Sequence, residues 1–280
     1  MNAGVSLVME IGVLLGYDNS IEDYLKWCVE NELFTCQLSV SPDDHCLDTA
    51  NNIKALFDKY NIRITALVGG WSGPQEWNFS GGPDTLGIVP QAYRAMRMRE
   101  LESHARFAVM LGVQDVCTHM GFIPENPSDR TYTEFITALR FLAGYYKNRG
   151  IFLNMETGQE TPVVLLRVIN DVQTDNVGIN FDPANLLMYG KANPIDALSI
   201  IGSYVRGVHA KDGEYPTDGI CLGVEKPLGE GRVDIELFIK TLHKIGYNGA
   251  ITIEREISGQ QQKNDVASAG KLLRKIINEL

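Results

Sequence analysis

Four residues in the second half of the chain have the types and spacing to hold a divalent cation. IFLNMETG carries Glu156 at its end, VGINFDPAN offers Asp182, VRGVHAKDGEY offers His209 and ITIERE offers Glu254. Each lies at or near the end of a short β-rich run, in which side chains alternate between two faces. Placing apolar Ile151, Leu153 and Met155 outward leaves Phe152, Asn154 and Glu156 inward; Ile179 and Phe181 outward leave Asn180 and Asp182 inward. The same step turns Gly207, His209 and Lys211 inward against Val208 and Ala210. It turns Thr252 and Glu254 inward against Ile251 and Ile253. Three carboxylates in one low-dielectric mouth repel each other and raise one another's pKa. A divalent ion removes that repulsion, bonding carboxylate and imidazole at about 2.0–2.2 Å. Three oxygens and one nitrogen suit Mn, Mg, Co or Zn and leave positions open for substrate or water. Taken singly, each residue also has a structural explanation. Glu156 and Glu254 can pair with Lys211 or Arg206, and His209 can be a core histidine.

The elements that must position these residues follow a repeated plan. Strand-like runs occur at 5–11, 34–40, 64–68, 115–120, 151–156, 177–182, 205–211 and 250–256, each followed by a helical pattern. Helix starts are marked by Ser20 with Asp23 as a capping-box partner, Thr161 before Pro162, Asn193 before Pro194, and Asp234. The longest helix, about 90–111, ends at Gly112, and its RMRE stretch reads as a solvated or salt-bridged face. Eight strand–helix units predict an α/β fold, a single-domain (β/α)8 TIM barrel spanning 1–280. An open doubly wound sheet is the alternative, although the first strand–helix turn lacks a glycine-rich phosphate loop. Three long connections, 69–89, 121–130 and 213–232, follow strand ends, where a barrel carries function.

Around the four ligands stand weaker candidates for substrate contact. Lys211 can stabilise an oxyanion or pair with a ligand carboxylate. His119 ends the fourth strand facing inward beside Cys117, and can orient substrate or a carboxylate. Trp71 and Trp77 lie on the third loop, where they can wall a sugar face or pack the loop itself. Asp212 reads as loop-ordering, and the glycines around Glu230 as a tight turn. His45, His104 and His243 carry no catalytic signal.

The charge of −10 disfavours nucleic acid and anionic membranes as partners, and no apolar run approaches the length of a membrane helix. Five scattered cysteines without a CxxC predict free thiols in a reducing compartment. With no signal-peptide pattern at the start, the cytoplasm is expected. A small sugar or cyclitol is the expected partner, with a homo-oligomer possible.

HAKDG at 209–213, the stretch 227–256, THMGFIP at 118–124 and METG at 155–158 resemble the xylose-isomerase-like superfamily of sugar (phosphate) isomerases and epimerases. The resemblance implies Glu156, Asp182, His209 and Glu254 as ligands of one metal. It also implies that Glu156 and Glu254 carry protons to and from an enediolate of a polyhydroxylated carbonyl compound. Many members read Asp-Pro-x-His on the sixth strand, whereas this chain reads Asp182-Pro183-Ala184-Asn185. Asn185 can hydrogen-bond a sugar hydroxyl but cannot shuttle a proton. Three other readings share the scaffold: a dehydratase of a keto-inositol or keto-sugar, an apurinic-site endonuclease, and a non-catalytic sugar-binding barrel. The endonuclease needs more histidines than the five present and conflicts with the charge.

Overall fold

The structure, a computed structural model, describes residues 9–280. Eight parallel strands close a barrel: β1 (Ile11–Gly16), β2 (Thr35–Ser39), β3 (Arg63–Val68), β4 (Asp115–Thr118), β5 (Phe152–Glu156), β6 (Val177–Phe181), β7 (Val205–Ala210) and β10 (Ile251–Ile253). Closure is made by β1 against β10, with Ile11 opposite Ile251 and Val13 opposite Ile253. A two-residue ribbon, β8 (Asp212–Gly213) with β9 (Glu225–Lys226), ties the loop after β7.

Helices cover the outside: α1 (Ile21–Glu30), α2 (Leu47–Tyr60), α3 (Gly82–Thr85), α4 (Gln91–Leu111), α5 (Arg130–Lys147), α6 (Pro162–Val172), α7 (Pro183–Met188), α8 (Pro194–Ile201), α9 (Ile235–Lys244) and α10 (Gln260–Asn278). The longer ones bury an apolar stripe against the strands, as Val266, Ala269, Leu273 and Ile276 do on α10. Thr161, Asn193 and Asp234 cap their helices by accepting backbone N–H bonds, from Val164, Ile195 and Leu237 respectively. Gly112 ends α4 in the left-handed conformation (φ 76°) that glycine adopts without penalty.

Three expectations are corrected. The first strand is Ile11–Gly16 instead of 5–11; residues 5–8 lie outside the described residues. Gly12 lies within β1, where a Cβ would come 2.2 Å from Thr35 Oγ1 and 2.3 Å from Thr35 O. It therefore marks a close approach of β1 to β2. Ser20 forms no capping box: its Oγ donates to Asp18 Oδ1 (2.6 Å), and its side chain does not cap α1. Arg97, within the RMRE stretch of α4, is fully buried instead of solvated. It donates to the carbonyls of Ser72, Pro74, Thr85 and Gly87 at 2.6–3.0 Å and so holds the 69–89 loop.

Inside the barrel, polar residues are stacked in tiers. Arg206 and Asn154 both bond Asp115 near the N-terminal end, and the Arg206 guanidinium lies over the Phe152 ring. Further along the strands come Gln37, Cys117, Asn180 and His209, and beyond them the carboxylates of the mouth.

Candidate metal centre

Four strand ends deliver the four candidate ligands to one point. Glu156 is the last residue of β5, Asp182 follows β6, His209 is next to last on β7, and Glu254 follows β10. One donor atom from each lies within 4.8 Å of all the others. Two ligands bonded at about 2.2 Å can stand no more than about 4.4 Å apart, so a small contraction seats an ion. His209 Nδ1 is 3.0 Å from Glu254 Oε2, 3.3 Å from Glu156 Oε1 and 3.5 Å from Asp182 Oδ2.

The donor atoms themselves fit a cation. Asp182 Oδ2, His209 Nδ1 and Glu254 Oε2 are buried and have no hydrogen-bond partner. Buried polar atoms are ordinarily paired, so three orphans aimed at one point mark a place built for a ligand. Asp182 divides its work. Its Oδ1 caps α7 by accepting from Asn185 N (2.8 Å), which fixes the rotamer and leaves Oδ2 facing the centre.

Charge in the metal-free protein is balanced by protons and one lysine. Burial disfavours the His209 imidazolium, but the Glu254 and Glu156 carboxylates outweigh it and hold His209 well above its ordinary range. Burial likewise raises Glu254 and Glu156. Lys211 and His209 then hold Glu254 well below the usual carboxylate range, and His119 and His209 bring Glu156 to about 2. Asp182 ends up raised because burial dominates there.

Lys211 is 1% exposed and donates to Glu256 Oε1 (2.7 Å) and Asn185 Oδ1 (3.2 Å); Glu254 Oε2 at 3.1 Å and Asp182 Oδ2 at 3.6 Å are charge contacts outside hydrogen-bond geometry. The expected pairing with the candidate ligand carboxylates is present. Asn185 is buried and donates to Glu156 Oε1 at 3.4 Å. His119 Nε2 stands 3.4 Å from the same oxygen, so Glu156 is gripped from two sides.

A cavity of ≈ 410 Å³ opens on these groups, within the usual range for small-molecule sites of about 300–1,000 Å³. Glu156, Glu254, Glu256, His119 and Asn185 form its polar wall, and Leu14, Val68, Trp77, Met188 and Leu222 its apolar wall. Among the described residues, none lining it is lysine or arginine. Trp71, expected at this wall, is 7% exposed and sits behind it. Its indole N–H donates to Thr118 Oγ1 (3.2 Å), and Arg97 covers its ring at 4.4 Å. Trp77 is the tryptophan at the cavity, stacked on Trp71 and edge-on to His119.

Asp212 orders the loop after β7, accepting from the backbone N–H groups of Gly213, Gly229, Gly231 and Val233. Glu230 is exposed, and His45 packs with His104 and Phe107 away from the cavity. Sequence reasoning passed over Glu256 and Gln37, although both had a signal. Glu256 is one two-residue step beyond Glu254, and Gln37 is a lone amide in the apolar run CQL. Glu160 is buried with neither carboxylate oxygen paired, and burial pushes it up to about 8.

Residues 30–276 match the family described as Xylose isomerase-like TIM barrel. The chain belongs to this family. A xylose isomerase domain protein from Planctomyces limnophilus is 36% identical, with TM-score 0.92, covering 97% of this chain and 98% of that one. An uncharacterised protein of Methanocaldococcus jannaschii is 28% identical over 160 residues, 53% of either chain, so this chain spans about half the length of that curated relative. Below 25% identity the likeness is of fold alone. A D-tagatose 3-epimerase-like protein (20%, TM-score 0.74) covers 97% of this chain and 99% of its own. The probable 3-DHS dehydratase of Bacillus anthracis (16%, TM-score 0.68) covers 94% and 99%.

Proposed function

We propose that this family member is a divalent-metal-dependent isomerase or epimerase of a ketose or related polyhydroxylated carbonyl compound. The observation that carries the reading is the set of three orphaned buried donors converging with Glu156 at the floor of a cavity. Glu156, Asp182, His209 and Glu254 would hold one ion of Mn, Mg, Co or Zn. When bound, that ion supplies a Lewis acid, polarising the substrate carbonyl and stabilising the charge left when the neighbouring carbon loses its proton.

The chain's own residues do the rest. Glu156 and Glu254 both line the cavity, from β5 and from beyond β10, with β6 and β7 between them. One carboxylate takes the carbon-bound proton and the other returns one to the opposite face, which inverts the centre. Asn185 and Glu256 offer hydrogen bonds to hydroxyls, and Trp77 an apolar surface to a sugar face. A wall of carboxylates without lysine or arginine favours a neutral sugar or cyclitol over a phosphorylated one. The five unpaired cysteines support a reducing compartment, the cytoplasm.

A dehydratase is the second reading, favoured by one observation. His119 stands in the cavity wall beside Glu156, where an imidazole can deliver a proton to a departing hydroxyl. Incubation of the manganese-loaded enzyme with neutral ketoses and keto-inositols in heavy water separates the two. Epimerisation places deuterium on the inverted carbon, whereas dehydration releases water and gives an unsaturated or deoxy product. Absence of both exchange and elimination across the panel would contradict the enzymatic reading.

A further inference from the structure

We propose that Gln37, reaching across the barrel interior from β2, is a positioning residue that keeps the proton of His209 on Nε2 and its Nδ1 lone pair on the metal centre. This assignment rests on the metal reading above and extends it to a residue that touches neither ion nor substrate.

Two amides meet the far nitrogen of His209. Gln37 Oε1 is 2.9 Å from Nε2, and Asn180 Nδ2 is 3.0 Å from it. An amide oxygen is satisfied only if Nε2 carries hydrogen; an amide N–H is satisfied there only if Nε2 is bare. The two neighbours therefore favour opposite tautomers, and the near nitrogen decides between them. Nδ1 faces Glu156, Asp182 and Glu254, the carboxylates that would hold the ion with it. With an ion on Nδ1, the neutral ring must carry its hydrogen on Nε2. The acceptor that serves that hydrogen is Gln37 Oε1.

The orientation of Gln37 is itself fixed. Its Nε2 donates to Asn180 Oδ1 (2.9 Å), so its oxygen has to face His209. Cys117 Sγ adds a weak donor contact to that oxygen at 3.4 Å. Gln37, Asn180 and His209 are all 1% exposed or less, so the contact is shielded from competing solvent. Gly207, two residues before His209 on β7, leaves the room. A Cβ there would lie 2.3 Å from Asn180 Oδ1 and 3.2 Å from Gln37 Nε2. Partners behind a ligating histidine fix its tautomer and raise its basicity, and their loss typically costs about 10–100-fold in metal affinity.

The test compares Mn²⁺ binding by the wild type, Gln37→Met and Gln37→Glu, measured calorimetrically at one pH after chelator treatment. Methionine keeps the length without a strong acceptor, and glutamate keeps the acceptor. Gln37→Met is expected to bind about 10–100-fold more weakly, and Gln37→Glu at least as tightly as the wild type. A merely structural role would lower the melting temperature of both metal-free variants without separating their affinities. In ¹⁵N-histidine-labelled wild type loaded with Zn²⁺, one imidazole should be ligated through Nδ1 with its proton on Nε2, a readout independent of whether the variants fold. Ligation with the proton on Nδ1, or unchanged affinity in Gln37→Met, would overturn the assignment and leave the metal reading standing. Failure of the wild type to bind any divalent ion would overturn both.

Discussion

At the residue scale, the centre is a balance among four carboxylates, one lysine and two histidines, and each can be tested by removing one charge or one proton. Glu156→Gln and Glu254→Gln keep shape and a weak oxygen ligand but cannot accept a proton at neutral pH. A positioned base contributes about 10²–10⁴ in rate, so turnover in each variant should stay depressed by that order at saturating Mn²⁺. Full recovery with excess metal would make the glutamates ligands only. Lys211 tests the charge balance from the other side. Its ammonium touches Glu254, Glu256 and Asp182, so Lys211→Met removes the cation that offsets them. The metal-free variant should melt lower while binding the divalent ion at least as tightly as the wild type; weaker binding would refute this role. The convergence of the four candidate ligands was legible because each is a metal-capable side chain at an inward position, opposite apolar residues that mark the outward face. Trp71 was misjudged because loop residues have no such alternation, and only the buried Arg97 and Thr118 show which tryptophan turns inward.

At the element scale, α4 does more than cover the barrel. Through Arg97 it binds four carbonyls of the 69–89 loop, and through His104 Nε2 it meets the carbonyl of Gly70 (3.1 Å). Arg97→Met strands four acceptors and should cost about 3 kcal/mol or more in a denaturant melt, with KM rising because Trp77 is carried by the same loop. Unchanged stability would show that the loop is held elsewhere. His104 makes α4 sensitive to acid. Burial, then the neighbouring His45, lower it to about 3 from an ordinary 6.5. The folded state therefore refuses a proton that the unfolded chain accepts, and stability falls as pH drops from 6.5 towards 3. Between pH 7 and pH 5 this one group should cost about 2 kcal/mol, a difference that His104→Gln should abolish relative to the wild type. An identical acid profile in the variant would contradict it. Neither feature was readable in advance. The charge alternation of RMRE describes a solvated helix equally well, and only the path of the loop shows that Arg97 is inside.

At the scale of the whole molecule, the strand count and inward alternation led to the barrel, and closure of β1 on β10 decides it against an open sheet. The first strand was placed too early because VSLVMEIGVLLG holds two overlapping apolar windows, 5–11 and 11–16, and only the pairing of β1 with β2 and β10 selects the later one. Closure matters for the candidate centre because it brings residues 156, 182, 209 and 254 to one mouth without any being neighbours in sequence. An ion there ties four strand ends together, so 1,000 times its Kd should stabilise the fold by about 4 kcal/mol. The most direct test of the centre is equilibrium dialysis against Mn²⁺ with metal counted per chain, for the wild type, Asp182→Ala and His209→Ala. The wild type should hold one ion, and both variants should lose most of it at the same free concentration. Full occupancy in both variants, or none in the wild type, would contradict the centre.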